Sequence, residues 1–508
     1  MEKEKKKTII LSVVAVVTLA LLVIGATYAY FTSQGGDPAS ANVSVTTYTT
    51  DVLTFATGDD ISIYADQESF ASGKGNATGS TYAKATLTAN NKTNTATEHY
   101  YVYLNITNND FVYTIDNSTP ELILTVTDVS GNEITNISGL SHVSVTDGKG
   151  ETVSGYDITT STGLLTLFNN REITASPSKE EQWNIKLTLV NYDKDQTNNA
   201  AKSLSAKVII QKDKIEFLND HIISLYTGTQ GENNIYYHNG NLETGIDDGS
   251  YRYAGASSSV NNYVCFGSDD ETCPIENLYR IIGVIDGEVK LIKSTVATSA
   301  LLGTDGDYNS EINSYYWNKN ATTNGSTNTW SVSLLNIVNL NTNFTTNIGE
   351  EWAKKIATTT WKVGGNTLAN IYSVVPSTVY QNEIVNPVTT NSMDNGKEYT
   401  AKIGLMYVSD YEFAASPTYW INVGYNSDST KDYSAAKASN WMCIGSTEWT
   451  ISRNASGSTH VFIVNWTGIV DRINVAVTLS VRPVFFLNSD VTYVSGDGTL
   501  ENPIRLGD

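Results

Sequence analysis

Apolar and polar side chains alternate along several segments of the first 210 residues. In residues 100–107, Tyr100, Val102, Leu104 and Ile106 alternate with Tyr, Asn and Thr, and the same period recurs in residues 122–127, 183–189 and 204–210. A period of two is typical of β-strands that bury one face. Turn-forming residues are dense between these segments, so the pattern predicts an antiparallel β-sandwich or jelly roll over residues 30–213.

The period changes near residue 213. Ile215, Leu218, Ile222 and Leu225 are spaced three and four residues apart, which predicts a short amphipathic helix. We interpret residues 214–226 as a helical joint between two domains, and a helix packed on the second domain is the alternative. From residue 227 to 508, short strands, turns and modest helices predict an α+β domain, and its clearest helical segment is 351–356.

A basic stretch and an apolar run precede the β-rich region. Four of the first seven residues are lysines, and the uncharged run over residues 9–25 has no polar face. This arrangement predicts an export signal whose basic end stays in the cytoplasm. We expect residues 1–29 to be a signal segment or a transmembrane anchor. Cleavage after Ala29 is preferred, because small Thr27 lies two residues before it, and the rest is then extracellular or on the cell surface.

The composition is typical of an exported β-protein. Of the 508 residues, 40% are hydrophobic and only 17% are charged, so most of the polarity comes from uncharged Asn, Thr and Ser. The formal net charge is −21. Binding to a phosphate backbone requires a basic face, so nucleic acid is excluded as the expected partner.

Cysteine and tryptophan divide the chain into two parts. Residues 30–213 hold no Cys and one Trp, whereas the remainder holds all three Cys and eight Trp. We therefore expect a Cys/Trp-rich surface domain over residues 227–508. Because an exported protein meets an oxidising environment, Cys265 and Cys273 are expected to form a local disulfide. Cys443 is then left over, and we expect it to be buried as a small hydrophobic residue.

Metal ligands are sparse in the sequence. The five His are isolated and no HExxH pair occurs, so a metalloprotease centre is not predicted. Asp305, Asp307 and Asn309 offer oxygen ligands, which makes calcium the candidate cofactor. This segment does not match an EF-hand loop, because Ser310 occupies the position that needs Gly and Tyr316 the position of the bidentate Glu. We favour an ordinary turn over a calcium site.

Several tryptophans are candidates for a ligand-binding surface. Trp317, Trp420, Trp441 and Trp449 stand among Asn and Ser, which can hydrogen-bond sugars while the rings stack on them. Core packing is the favoured alternative for these four rings. No nucleophile elbow, phosphate-binding loop or dinucleotide fingerprint occurs, so no catalytic residue is predicted. Arg482 is expected to pair with a carboxylate near the last strands.

The N-terminal segment resembles a known class of signal. Residues 25–32, Gly-Ala-Thr-Tyr-Ala-Tyr-Phe-Thr after an apolar run, resemble the signal segments of Gram-positive proteins processed by the SipW-type peptidase, the TasA and camelysin matrix proteins among them. This resemblance implies a secreted jelly-roll subunit that builds extracellular fibres. Camelysin is described as a protease, and that activity is not carried over because the usual zinc ligands are missing.

Blocks of the second domain resemble a recurring uncharacterised domain of Firmicutes surface proteins. The blocks are residues 251–255, 261–266, 278–284, 404–410 and 481–487. Residues 448–452 and 481–484 are also similar to C-type-lectin-like domains of the formylglycine-generating-enzyme type. In that fold a Trp-rich strand and a terminal Arg-containing strand close the domain.

Taken together, these features predict a non-enzymatic bacterial surface or extracellular-matrix protein with a structural, adhesive or ligand-binding role. Its expected partners are the membrane, through the N-terminal helix, further copies of the chain, through the β-domain, and a carbohydrate or host or matrix ligand. Residues 39–50 have the character of a strand that adds to a neighbour's sheet edge. The alternatives are a secreted carbohydrate-active enzyme or camelysin-type peptidase with its site in residues 227–508, and a tethered sensor ectodomain.

Overall fold

A computed structural model describes residues 51–90, 95–134, 136–309, 313–319, 327–389, 396–420 and 437–507. The predicted signal segment 1–29, the cleavage position Ala29 and the candidate added strand 39–50 lie outside the described residues. The chain divides into two compact units, one ending at Lys214 and the other beginning at Ile215. The described structure is mainly β with several antiparallel sheets, which confirms the predicted fold class at that level.

The first unit contains two antiparallel sheets. The six-stranded sheet has the order β1-β3-β9-β5-β7-β6 and the four-stranded sheet the order β2-β10-β4-β8. Segments predicted from alternation lie in β4, β5, β9 and β10. The strands are β1 Val52–Thr57, β2 Ile61–Ala65, β3 Ala77–Thr88, β4 Ala96–Asn109, β5 Leu122–Asp128, β6 His142–Thr146, β7 Thr152–Asp157, β8 Gly163–Ala175, β9 Ser178–Leu189 and β10 Lys202–Gln211.

The core of the first unit follows the alternation of its strands. Along β2 the apolar residues Ile61 and Ile63 are buried, while Tyr64 is 62% exposed. The core also contains a paired polar group, because Trp183 Nε1 donates to Tyr100 Oη at 2.9 Å. The Tyr100 hydroxyl in turn donates to Glu181 at 2.7 Å. Pairing removes the desolvation penalty that a buried hydroxyl or indole N–H would otherwise carry.

The second unit mixes sheets and short helices. Its largest sheet has the order β12-β13-β15-β16-β27-β22, and β14 pairs with β15. Its strands are β11 Glu216–Phe217, β12 Ile235–Tyr237, β13 Tyr251–Tyr253, β14 Tyr263–Cys265, β15 Leu278–Ile285, β16 Glu288–Lys293, β17 Tyr308–Asn309, β18 Ser314–Tyr316, β19 Thr359–Lys362, β20 Gly365–Asn366, β21 Glu398–Ala401, β22 Ile403–Gly404, β23 Glu448–Asn454, β24 His460–Val464, β25 Val470–Asn474, β26 Thr478–Leu479, β27 Val484–Phe486, β28 Thr492–Ser495 and β29 Arg505–Gly507.

The helices of the second unit are short. They are α1 Leu218–Ser224, α2 Ser299–Leu302, α3 Thr345–Asn347, α4 Glu350–Lys354, α5 Leu368–Ser373, α6 Pro376–Tyr380 and α7 Val408–Phe413, with π-helical turns at Leu335–Phe344 and Gln381–Val385. Helix α1 lies where the three- and four-residue spacing predicts one, and α4 overlaps the predicted segment 351–356. Leu218 and Ile222 of α1 are buried in the core of the second unit, so this helix packs on that unit.

One disulfide closes a short loop of the second unit. Cys265 and Cys273 are bonded, with Cα atoms 5.8 Å apart, which confirms the predicted pair. Cys443 is the free cysteine, and it is partly exposed rather than fully buried as expected. Among the described residues, no helix is long and apolar enough to cross a membrane.

Candidate functional site

The four tryptophans considered as candidates for a ligand platform lie in the protein core. Trp317 and Trp420 are fully buried, and Trp441 and Trp449 are 1% exposed. Each indole N–H donates to a backbone carbonyl, those of Thr450, Ala415, Tyr253 and Tyr315 respectively. The core packing favoured for these four rings is therefore confirmed, because large rings with their one polar atom paired are more stable inside than in water. The alternative of an exposed ligand platform at these positions is wrong.

Trp466, which the sequence analysis did not single out, is 66% exposed. It lies in the turn between β24 and β25, and its backbone N–H donates to Thr447 Oγ1 at 3.0 Å. The Asn465 side-chain oxygen accepts hydrogen bonds from the backbone of Thr467, at 2.9 Å, and of Ile469, at 3.1 Å. We call residues 465–468 the Trp466 tip. These bonds fix the turn, so the exposed ring stands on a rigid support.

The Trp466 tip also receives hydrogen bonds from Tyr411, a core residue, and from Lys437. Tyr411 Oη donates to the Gly468 carbonyl at 2.8 Å. Lys437 Nζ donates to the Trp466 carbonyl at 3.2 Å. Ile444, which follows the partly exposed Cys443, is 37% exposed. A turn of the Asn-X-Thr-Gly type between two apolar runs is the signal in the sequence that could have revealed this tip.

The calcium candidates take part in hydrogen bonds with residues outside their own loop. Asp305 Oδ1 accepts from Asn343 at 2.6 Å, and Asp307 Oδ2 accepts from the Lys319 backbone at 3.3 Å. Asn309 donates to Thr478 Oγ1 at 3.3 Å. Within the described ranges, no group of three His, Cys, Asp or Glu side chains is arranged to hold a metal ion. Calcium binding by this loop stays a prediction.

The second unit contains a largely buried group of ionised side chains, which we call the Asp410 cluster: Arg252, Lys290, Asp410 and Asp248. Arg252 Nη1 lies 3.2 Å from Asp410 Oδ1, and its Nη2 lies 3.3 Å from Asp248 Oδ2. Lys290 Nζ lies 2.6 Å from Asp410 Oδ2. Burial opposes ionisation of Asp410, but Lys290 and Arg252 outweigh it and lower the pKa of this carboxyl.

Three elements bring the Asp410 cluster together. Asp410 lies in the first turn of α7, where its Oδ2 accepts from the Tyr407 backbone N–H at 3.0 Å and caps the helix. Arg252 comes from β13 and Lys290 from β16, two strands of the largest sheet. Every residue of α7 is buried. The charges are therefore held away from solvent, where each needs a partner of opposite sign.

Two further carboxyls beside the cluster have oxygens that remain unpartnered within the described structure. They are Glu383 Oε1 and Glu412 Oε2. Burial raises the pKa of Glu383 to about 7, although the Ser409 backbone N–H donates to its Oε2 at 3.1 Å. Burial, together with the nearby Glu383 carboxyl, raises the pKa of Glu412 well above its ordinary value. Both groups can therefore hold a proton in the interior near neutral pH.

A Glu412→Gln variant should remove part of the pH dependence of stability. The folded protein keeps the Glu412 proton above pH 4.5, where the unfolded chain releases it. Between pH 4.5 and the raised folded pKa, wild type should therefore lose about 1.4 kcal/mol of unfolding free energy per pH unit relative to the variant. Urea unfolding of both proteins across this range measures the difference, and parallel stability profiles would contradict it.

A second buried ion pair confirms the expectation for Arg482. Its Nη2 lies 2.9 Å from Glu448 Oε1, and its Nε donates to Glu448 Oε2. The same Nη2 also donates to the Met442 carbonyl at 2.8 Å. Both side chains are 1% exposed. The pair joins β23 to the segment before β27, which is a structural arrangement.

Comparison with known proteins does not assign the chain to a family. No protein-family model matches the chain, and no curated protein matches it in sequence.

Proposed function

We propose that this chain is an exported bacterial surface or extracellular-matrix protein with a structural, adhesive or ligand-binding role and no catalytic activity. In this proposal the first unit serves assembly or spacing and the second unit makes the contact with a ligand. The N-terminal sequence supports export, since its basic residues and apolar run are typical of a signal or anchor.

The observation that carries the proposal is the Cys265–Cys273 disulfide. Disulfides persist in oxidising compartments and are rare where glutathione keeps thiols reduced. The export signal predicted in residues 1–31 supports the same location. This support is independent, because the signal and the disulfide lie in different parts of the chain. Membrane contact through the N-terminal helix, transient or lasting, belongs to the same proposal.

Thiol labelling tests this function on protein recovered from the cell surface. We expect one reactive thiol, Cys443, before reduction and three after it, with the protein accessible to surface-directed protease on intact cells. Three reactive thiols before reduction, in protein found only inside the cell, would overturn the proposal. If the protein were exposed on the surface but Cys265 and Cys273 were reduced, the disulfide could no longer be used as evidence for the proposal.

Self-assembly is proposed to use the sheet edges of the first unit. Within the described strands, β1 and β6 end one sheet, and β2 and β8 end the other. Edge strands offer unpaired backbone groups to an added strand. Residues 39–50 of another copy are the proposed added strand. Polymers that look unchanged by electron microscopy after deletion of residues 34–50 would rule this segment out.

The ligand contact is proposed to centre on Trp466. An exposed indole on a rigid turn offers a large apolar face with little conformational entropy left to lose on binding. Nearby Asn and Thr are the residue types that accompany sugar-stacking rings. Carbohydrate is therefore the proposed ligand class, and Trp466 is the proposed stacking ring.

Replacing Trp466 with alanine should weaken binding to purified cell-wall sacculi by at least about tenfold, because hot-spot aromatics carry more than 1 kcal/mol of binding energy. The matched control is Ile275→Ala, which removes another exposed apolar side chain of the same unit, 69% exposed in the fold. A sedimentation assay with sacculi measures both variants. Equal binding by wild type and the Trp466 variant would remove Trp466 from the proposal.

A further inference from the structure

Lys290 and Asp410 form a lysine–carboxylate contact that is closed off from water. Their side chains are 2% and 1% exposed, and Nζ lies 2.6 Å from Oδ2. The ammonium group also lies near the rings of Trp361, Tyr407 and Phe486, with centroids 5.7, 4.7 and 5.3 Å away. Because Cγ is bonded to Oδ2, Nζ lies about 3–3.5 Å from Cγ, which is the separation of reacting atoms in a near-attack arrangement.

We propose that the folded protein joins Lys290 Nζ to Asp410 Cγ in an intramolecular amide bond, an isopeptide cross-link between β16 and α7. The bond would tie together segments 120 residues apart in the chain. This goes beyond the proposed function, since it assigns a self-catalysed modification to the second unit. A covalent tie of this kind would resist unfolding at an exposed cell surface.

The neighbouring side chains supply what amide formation needs. Burial lowers the pKa of Lys290, which favours the neutral, nucleophilic amine. Arg252 Nη1, 3.2 Å from Asp410 Oδ1, is placed to hold the negative charge that develops on that oxygen. The short Nζ–Oδ2 contact also gives the protons of the amine a direct path to the oxygen that leaves.

The step balances without an external reagent. One proton passes from Nζ to Oδ2 along their contact, which leaves a neutral amine and a neutral carboxylic acid. Nζ attacks Cγ, and the Nζ–Cγ bond forms. A second proton passes from Nζ to Oδ2, the Cγ–Oδ2 bond breaks, and Oδ2 leaves as water with both protons. No atom is oxidised or reduced.

Charge balance in the interior favours the product. The reaction replaces a buried cation and a buried anion with one neutral amide, and so removes the desolvation penalty of both ions. Arg252 keeps a carboxylate partner afterwards, because its Nη2 lies 3.3 Å from Asp248 Oδ2. Exclusion of water also disfavours hydrolysis of the new bond.

Tryptic peptide mass spectrometry of the full chain tests the proposal. Cleavage after Lys290 should be lost, and a branched species should join peptide 281–293 to peptide 403–431, lighter than their sum by one water molecule. The internal control is Lys362 and Glu398, which lie 2.5 Å apart but have side chains 37% and 58% exposed, and should give no branched peptide. Normal cleavage after Lys290, with both peptides at their unmodified masses, would overturn the cross-link and leave an ion pair only.

Discussion

Replacing Trp449 with alanine should destabilise the second unit by about 3–5 kcal/mol, as measured by urea unfolding. The ring is 1% exposed, so its removal leaves a cavity in a close-packed core. The substitution also leaves the Tyr315 carbonyl without the indole N–H that donates to it at 2.8 Å. Both effects act in the same direction.

Trp466→Ala is the matched control, because it removes the same side chain from an exposed position. Its unfolding free energy should change by less than about 0.5 kcal/mol. Similar destabilisation by the two substitutions would contradict the assignment of Trp449 to the core and Trp466 to the surface. The pair of variants therefore tests which of the two rings belongs to the core and which to the surface.

Replacing Glu448 with alanine should destabilise the second unit by about 3–5 kcal/mol as well. Glu448 is the carboxylate partner of Arg482, and both side chains are 1% exposed. The substitution leaves a buried guanidinium without its counter-charge, and that penalty exceeds the net value of the pair itself. Thermal and urea unfolding of the variant measure the loss.

Two comparisons isolate the role of burial in the Glu448 result. Glu350→Ala breaks a pair with Lys354 whose side chains are 82% and 70% exposed, and should leave the unfolding transition in place. A double variant, Glu448→Leu with Arg482→Met, should recover most of the stability, because no charge is then left unpaired. If the Glu448→Ala variant kept the wild-type unfolding free energy, the Glu448–Arg482 ion pair would not be needed to stabilise the fold.

Local patterns predicted much of the secondary structure. Alternation in residues 100–107 and 183–189 identifies β4 and β9, because one face of each strand meets the core. The spacing of Leu218 and Ile222 identifies α1 for the same reason. The disulfide was also predictable, since an eight-residue separation in an oxidising environment restricts the choice of partner.

The candidate sites were harder to predict because they depend on distant contacts. The residues of the Asp410 cluster are far apart in sequence, with Arg252 and Asp410 separated by 158 positions. No local motif marks such a cluster. The sequence around Trp449 is more polar than that around Trp466, yet the first ring is buried and the second is exposed, so only tertiary packing decides their placement.

N-terminal mass spectrometry of the protein from its native cells tests the central claim of export most directly. Membrane, released and cytoplasmic fractions are compared. We predict that released material begins at Tyr30, as expected of a cleaved surface or matrix subunit. Intact Met1 confined to the membrane fraction would replace the matrix role with that of a tethered ectodomain, and intact Met1 in the soluble cytoplasmic fraction would contradict export altogether.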